Sequence, residues 1–275
     1  LNGGLGNQLF QYAFGKNLSL ARCEPVFFHK VNLDNGNHRA YGLGVFKADV
    51  DFKDPDPEIN QVYQEKTFAF DGDVLGAPPN SYFIGNWQTE KYFIRKTFLK
   101  DFSPKIGLSV KSVEWKMKMI NRAASSCAIH VRRSDYLNVQ HYHGLKRMDY
   151  YNAAIQTIRD AVGTVRFFVF SDDLPWCRDN FPSGESFHFV DANGSGDGTK
   201  GPSTEHEDIF LMAFCDHAII PNSSFGWWGA WLGDRVTEQY KLPRMVIAPK
   251  DWFNPTGPAK DLDTSDICPA RWVRL

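Results

Sequence analysis

Cys127-Ala128-Ile129-His130-Val131-Arg132-Arg133-Ser134-Asp135 starts as an apolar run and turns abruptly to charge. A run with no polar face reads as a strand buried on both sides, the form found in parallel sheets covered by helices. The residues that follow extend the pattern. Tyr151, Ala154, Ile155, Ile158 and Val162 recur at helical spacing, and residues 165–170 form a second apolar run. Strands are then expected over 187–190, 217–220 and 245–248, with helices over 208–214 and 225–232 between them. Alternation of this kind predicts an α/β domain with a doubly wound, Rossmann-like parallel sheet.

The first half is less regular. Leu9, Tyr12, Ala13, Leu18 and Leu20 fit an amphipathic helix opening just after Gly3 and Gly4. A glycine turn of this sort normally follows a strand, so a short strand upstream of Leu1 is expected. Val26-Phe27-Phe28 suits a short buried strand, and Ser81-Tyr82-Phe83-Ile84-Gly85 another. Asp54-Pro55-Asp56-Pro57 punctuates the region between them. A further helix is expected near residues 113–120. The domains predicted are 1–115 and 116–275, the C-terminal segment packing back on the first.

Composition excludes several classes. Of 275 residues, 43% are hydrophobic and 23% charged, the balance of a globular protein that folds in water. Lys+Arg 31 against Asp+Glu 32 leaves a net charge of -1, so no global field recruits nucleic acid or an anionic membrane. The five cysteines are odd in number, widely spaced and without a CxxC pair, which speaks against a disulfide framework or zinc cluster and for a reducing compartment. No run approaches the roughly 20 apolar residues that span a bilayer, and no signal segment is read, so a cytoplasmic location is expected.

Ligands of doubly wound sheets sit at the carboxyl ends of the strands, where Arg132 and Arg133 fall. Two guanidiniums there suit a diphosphate, which they bind bidentately. The plain alternative is an ion pair with Asp135. A second tract, Asn222-Ser223-Ser224-Phe225, leads from a strand into a helix. Asn and Ser cap helices, and an open helix start also binds phosphate. Trp227, Trp228 and Trp231 read as core. Asp172 and Asp173 close a strand, and Thr204 with Glu207 has the look of a capping box beside Asp208. Asp172, Asp173 and Asp208 suit the hydroxyls of a ribose or the edge of a base. In Gly3-Gly4-Leu5-Gly6-Asn7-Gln8-Leu9, leucine stands where a dinucleotide fingerprint needs its third glycine. Gly4 and Gly6 still allow a ligand close to the backbone, and Asn7 and Gln8 suit sugar hydroxyls. Asp71-Gly72-Asp73 reads as a turn and His141-Tyr142-His143 as a loop, so no metal site is expected.

Three ordered motifs, Gly3 to Tyr12, residues 130–136, and Asn222-Ser223-Ser224-Phe225-Gly226-Trp227-Trp228-Gly229-Ala230-Trp231, together resemble the inverting α-1,2-fucosyltransferases. The likeness runs to Asp266-Ile267-Cys268-Pro269-Ala270-Arg271-Trp272 and is weak only over residues 31–76. It implies a GT-B fold, two Rossmann-like domains with parallel sheets facing across a cleft. It implies transfer of L-fucose from GDP-fucose to the 2-hydroxyl of a galactose-terminated oligosaccharide, with inversion, no cofactor beyond the donor, and no metal. A lipid-linked acceptor would place the enzyme at a membrane surface without a spanning segment. Donor contacts then fall to Gly4, Gly6, Asn7, Gln8, Arg132, Arg133, Asp172, Asp173, Asp208 and residues 222–225. For the catalytic proton, Asp135, His130 and His143 stay open beside Arg132, as does loss to solvent or phosphate. Asp135, next to two arginines, is better suited to position them than to accept a proton. The chain departs from the family in Ser134, where glycine is common, and in Ser224-Phe225-Gly226. Two alternatives remain: a sugar-binding protein without turnover, and a transferase of the same fold using another GDP-sugar. The sequence is silent on oligomeric state.

Overall fold

Gly3 takes a φ of +72°, and a Cβ there would stand 2.7 Å from the Asn7 side-chain nitrogen, so the turn that launches the first helix requires glycine. That helix, α1 (Leu5–Arg22), buries Leu9, Tyr12, Ala13 and Leu18 as its periodicity predicts, while Leu20 is exposed. These positions come from a computed structural model, which describes residues 1–30, 40–55, 58–93, 100–120, 124–192 and 204–275.

The chain divides into two compact units, residues 1–106 with 262–270 and residues 107–261 with 271–275. In the first, β1 (Gln61–Gln64) pairs in parallel with β2 (Ser81–Ile84), the latter as expected. The strand expected at Val26-Phe27-Phe28 is reduced to one parallel bridge between Phe28 and Phe52, and Phe27 is half exposed. A cavity of about 440 Å³ lies among α1, this segment and β2, lined by Phe14, Leu18, Phe28 and Tyr82. The C-terminal stretch joins the same unit: the Phe68 N–H donates to the Asp263 carbonyl (2.9 Å) and the Phe70 N–H to the Asp266 carboxylate (2.8 Å).

The second unit holds a six-stranded sheet of β3 (Ser125–Val131), β4 (Val165–Ser171), β5 (Phe187–Phe189), β6 (His217–Ile219), β7 (Val246–Ala248) and β8 (Val273–Arg274). Its spatial order is β5-β4-β3-β6-β7-β8, and all neighbours are parallel. Both units thus carry parallel strands with helices, the α/β class the sequence predicts. In the second, the chain winds outward from β3 in one direction, returns at β6 and winds outward in the other. The switch point lies between β3 and β6, where such sheets bind ligands. The connecting helices are α2 (Val110–Met119), α3 (Met148–Val162), α4 (Leu174–Asn180), α5 (Glu205–Phe214) and α6 (Ser224–Tyr240). Cys127, Ile129 and Val131 pack with Tyr151, Ile155 and Ile158 of α3. The alternate residue Ala128 is equally buried, which is why β3 shows no polar face. Trp227, Trp228 and Trp231 are fully buried, as read.

The capping box expected at Thr204 and Glu207 does not form, since the Thr204 side chain makes no capping bond. Glu207 reaches α2 instead, accepting from the Ser109 N–H (3.0 Å), the Ser109 hydroxyl (2.7 Å) and the Ser112 hydroxyl. Three donors outcompete one cap, and they fasten residues 109–112 to the second unit. Burial raises the Glu207 pKa, but these bonds outweigh it and leave it below the ordinary 4.5. A depressed carboxylate stabilises the fold above its unfolded pKa, and that contribution is lost as pH falls through the folded value. Glu207→Gln is therefore expected to lower the melting temperature most near neutrality, the gap from the parent closing only as pH falls below about 4.5. Melting curves from neutrality to below that pH test it; a gap that widens on acidification would show the sign to be wrong.

Asp234 is a second buried carboxylate. It accepts from Arg244 Nε (3.1 Å), Arg271 Nε (2.6 Å) and Trp272 Nε1 (2.8 Å), tying α6 to the segments that enter β7 and β8. Among the described residues no helix is long and apolar enough to cross a membrane.

Candidate active site

Val131 lies opposite Ser171 in the β3–β4 ladder, so the chain leaves both strands side by side and Arg132-Arg133 emerges against Asp172-Asp173. Ile129 lies opposite Ile219 on the other flank, which brings Pro221-Asn222 to the same end of the sheet. The two tracts singled out by sequence therefore meet at the switch point.

The two arginines have different surroundings. Arg132 is held by two carboxylates, Nη1 by Asp172 Oδ2 at 3.0 Å and Nη2 by Asp135 Oδ2 at 2.7 Å, with the Tyr136 ring 5.7 Å from its guanidinium carbon. Burial opposes its charge, but Asp172 and then Asp135 more than offset that and raise its pKa. Arg133 instead bonds Asp173 Oδ2 through Nε (3.1 Å) and lies flat on Trp176, its guanidinium carbon 3.8 Å from the ring centre. Asp173 also caps α4 through the Trp176 N–H (3.2 Å). Arg133 and Asp173 thus hold the start of α4. The ion pair of Arg132 with Asp135, the plain alternative, is present as well. Asp172 Oδ1 accepts the Arg133 N–H at 2.9 Å, and its carbonyl accepts the Ser134 hydroxyl at 3.1 Å. The extra atoms of Ser134 therefore serve the strand end.

Asn222 is 2% exposed, and its Nδ2 donates to the carbonyls of His143 (2.6 Å), Gly144 (3.2 Å) and Trp252 (2.8 Å). Its amide nitrogen thus braces the loop around residues 143–144 and the Trp252 carbonyl. The Tyr136 hydroxyl donates to the Asn222 carbonyl (2.9 Å), and the Tyr136 ring stacks on His143 at 4.6 Å and 8°. Ser223 opens α6 without a side-chain capping bond, and Ser224 and Phe225 follow in its half-buried first turn. His130 is packed behind that turn. A Cβ on Gly226 would stand 2.5 Å from His130 Nδ1, and the Phe225 ring is 5.5 Å from the imidazole. Burial, then Arg132, lowers the His130 pKa to about 3, so the ring is neutral at working pH. Nδ1 has no hydrogen-bond partner among the described residues. At 5% exposure His130 is poorly placed to take a proton from a substrate. The His143 pKa is lowered by burial, against the pull of Asp135. Asp208 lies half-buried in the first turn of α5.

In the first unit the amides read as sugar contacts are largely internal ties. Gln8 is fully buried, donating to the carbonyls of Gly3 (2.9 Å) and Ala40 (3.1 Å) and accepting the Gly42 N–H (2.9 Å). Asn7 accepts from the Gln88 side chain (2.9 Å). Gly4 is the cap residue of α1 and Gly6 is buried in its first turn. Asp71 accepts the Asp73 N–H (2.9 Å), a local turn as read.

Residues 47–245 match the family profile described as Glycosyl transferase family 11. The chain belongs to that family. An alpha-1,2-colitosyltransferase of Escherichia coli is 30% identical over 100% of this chain and 97% of its own length. The O-antigen biosynthesis glycosyltransferase WbnK, also of Escherichia coli, is 34% identical over 58% of this chain and 47% of its own. A galactoside alpha-(1,2)-fucosyltransferase 1 of Gorilla gorilla gorilla is 28% identical over 97% and 75%. The switch-point residues described above are thus those of a family 11 glycosyltransferase. Two contacts at this strand end escaped the sequence reading, the Asp172–Arg132 ion pair and the Tyr136–His143 stack. The first was recoverable, because Asp172 follows β4 as Arg132 follows β3, and parallel neighbours bring such residues together.

Proposed function

We propose that this transferase moves L-fucose from GDP-β-L-fucose to the 2-hydroxyl of a terminal galactoside, with inversion at C1. The observation that carries the reading is Arg132 at the carboxyl end of β3, locked in place beside an uncapped helix start at the switch point. The acceptor oxygen forms a bond to C1 as the bond from C1 to the diphosphate breaks, its electron pair passing to the β-phosphate and the hydroxyl proton leaving to solvent or to that phosphate. Arg132 and the first-turn N–H groups of α6 meet that growing charge. GDP-fucose is assigned to the second unit and the acceptor sugar to the first, as the GT-B resemblance implies, and no cofactor beyond the donor is assigned. Asp208 is kept for the base or ribose. The Escherichia coli colitosyltransferase and the gorilla fucosyltransferase are both α-1,2 transferases by name, which supports the regiochemistry.

A colitose donor is the second reading, favoured by the full-length likeness to the colitosyltransferase. The test is to incubate the protein with GDP-fucose or GDP-colitose and a panel of β-galactosides, followed by mass spectrometry and linkage analysis. An α-1,2-fucosylated product is expected. Colitose transfer alone would replace the donor, and binding without GDP release in any mixture would replace the enzyme with a sugar-binding protein.

A further inference from the structure

We infer that the two carboxylates on Arg132 have opposite parts: Asp172 is its permanent anchor, and Asp135 is a stand-in for the donor's diphosphate that the donor displaces on binding. The inference rests on the reading that Arg132 grips the diphosphate. Asp172 is embedded: its side chain is 21% exposed, its second oxygen holds the Arg133 N–H, and its carbonyl holds the Ser134 hydroxyl. Asp135 sits only three residues from Arg132, on the single 3-10 turn Asp135–Leu137, with its side chain 51% exposed. Carboxylate and phosphate oxygens are acceptors of the same class and compete for the same guanidinium N–H groups. With both carboxylates in place, the cation already faces two negative charges, and a diphosphate added on top would face a net repulsion. Releasing Asp135 removes one of them at little cost, because an exposed carboxylate regains its water and surface pairs are weak. Releasing Asp172 would also unfasten the turn that follows β3. The Tyr136 ring against the guanidinium leaves its edges as the route for exchange.

Neutralising the two residues should then move GDP affinity in opposite directions. In calorimetric titrations with GDP, Asp135→Ala is expected to bind about two- to fivefold tighter than the parent, the size of a surface ion pair. Asp172→Asn, which keeps an acceptor for the Arg133 N–H, is expected to bind at least about tenfold weaker. A general field effect would tighten both, and a merely structural Asp135 would weaken binding when removed. Unchanged or weaker GDP binding by Asp135→Ala overturns the exchange. Circular dichroism checks each fold, and if Asp172→Asn fails to fold, the sign for Asp135→Ala alone decides. Arg132→Ala, titrated alongside, separates the two levels: parental affinity there would fail the donor reading itself, whereas weakened affinity there with no tightening in Asp135→Ala fails only the exchange.

Discussion

Arg132→Ala is expected to lower the transfer rate at least about 100-fold, the cost commonly seen when one donor to a developing oxyanion is removed. Arg132 is the guanidinium at this strand end whose two terminal nitrogens are held only by carboxylates, whereas Arg133 is committed to Trp176 and Asp173. Removal leaves Asp135 half exposed and Asp172 still held by the Arg133 N–H, so the fold is expected to survive. Arg132→Lys should recover only part of the loss, because an ammonium cannot span two acceptors in a fixed plane. Turnover at saturating donor, read beside a melting curve, is the measurement; activity within about threefold of the parent would remove Arg132 from the leaving-group site.

Asp234→Ala is expected to cost the most stability, about 3–5 kcal/mol, as for other buried ion pairs broken from one side. The Asp234 side chain is 6% exposed and that of Arg244 4%, and Arg271 and Trp272 share the same carboxylate. Without it the Arg244 cation keeps the carbonyls of Cys215 and Ala230 as acceptors. Asp234→Asn should lose less, since an amide oxygen still accepts. Urea unfolding measures both, and a loss under about 1 kcal/mol for the alanine variant would show that the cluster repacks around the gap.

The second half of the chain was legible because its strands are buried on both faces and its helices on one. Apolar runs and helical spacing record that difference directly, from Cys127 through Val162. The tryptophans of α6 could be placed in the core for the same reason. The site was legible as a location but less so as a set of contacts. Arg132 and Arg133 are identical in type and adjacent, and only the neighbour each meets across the sheet separates a ligand group from a structural one. Glu207 followed a local capping pattern, yet the serines of α2, 95 or more residues away, offered more bonds. Gln8 and Asn222 were read as polar groups awaiting a sugar or phosphate. Both lie buried among loop carbonyls, and a buried amide must satisfy its own chain first. In the first half, the strand expected at Val26-Phe27-Phe28 shortened to a bridge, since apolar character alone does not supply a pairing partner.

Neither compact unit is one continuous stretch of chain, because residues 262–270 belong with the first and residues 271–275 return to supply β8 of the second. Recombination with a relative at the single junction near residue 106 would therefore leave the first unit of hybrid parentage. The Asp263 and Asp266 contacts to residues 67–70 would then join segments with different histories. Exchange of the first unit by chimera needs two grafts rather than one, and inheritance of the two units is coupled through the last fourteen residues of the sequence.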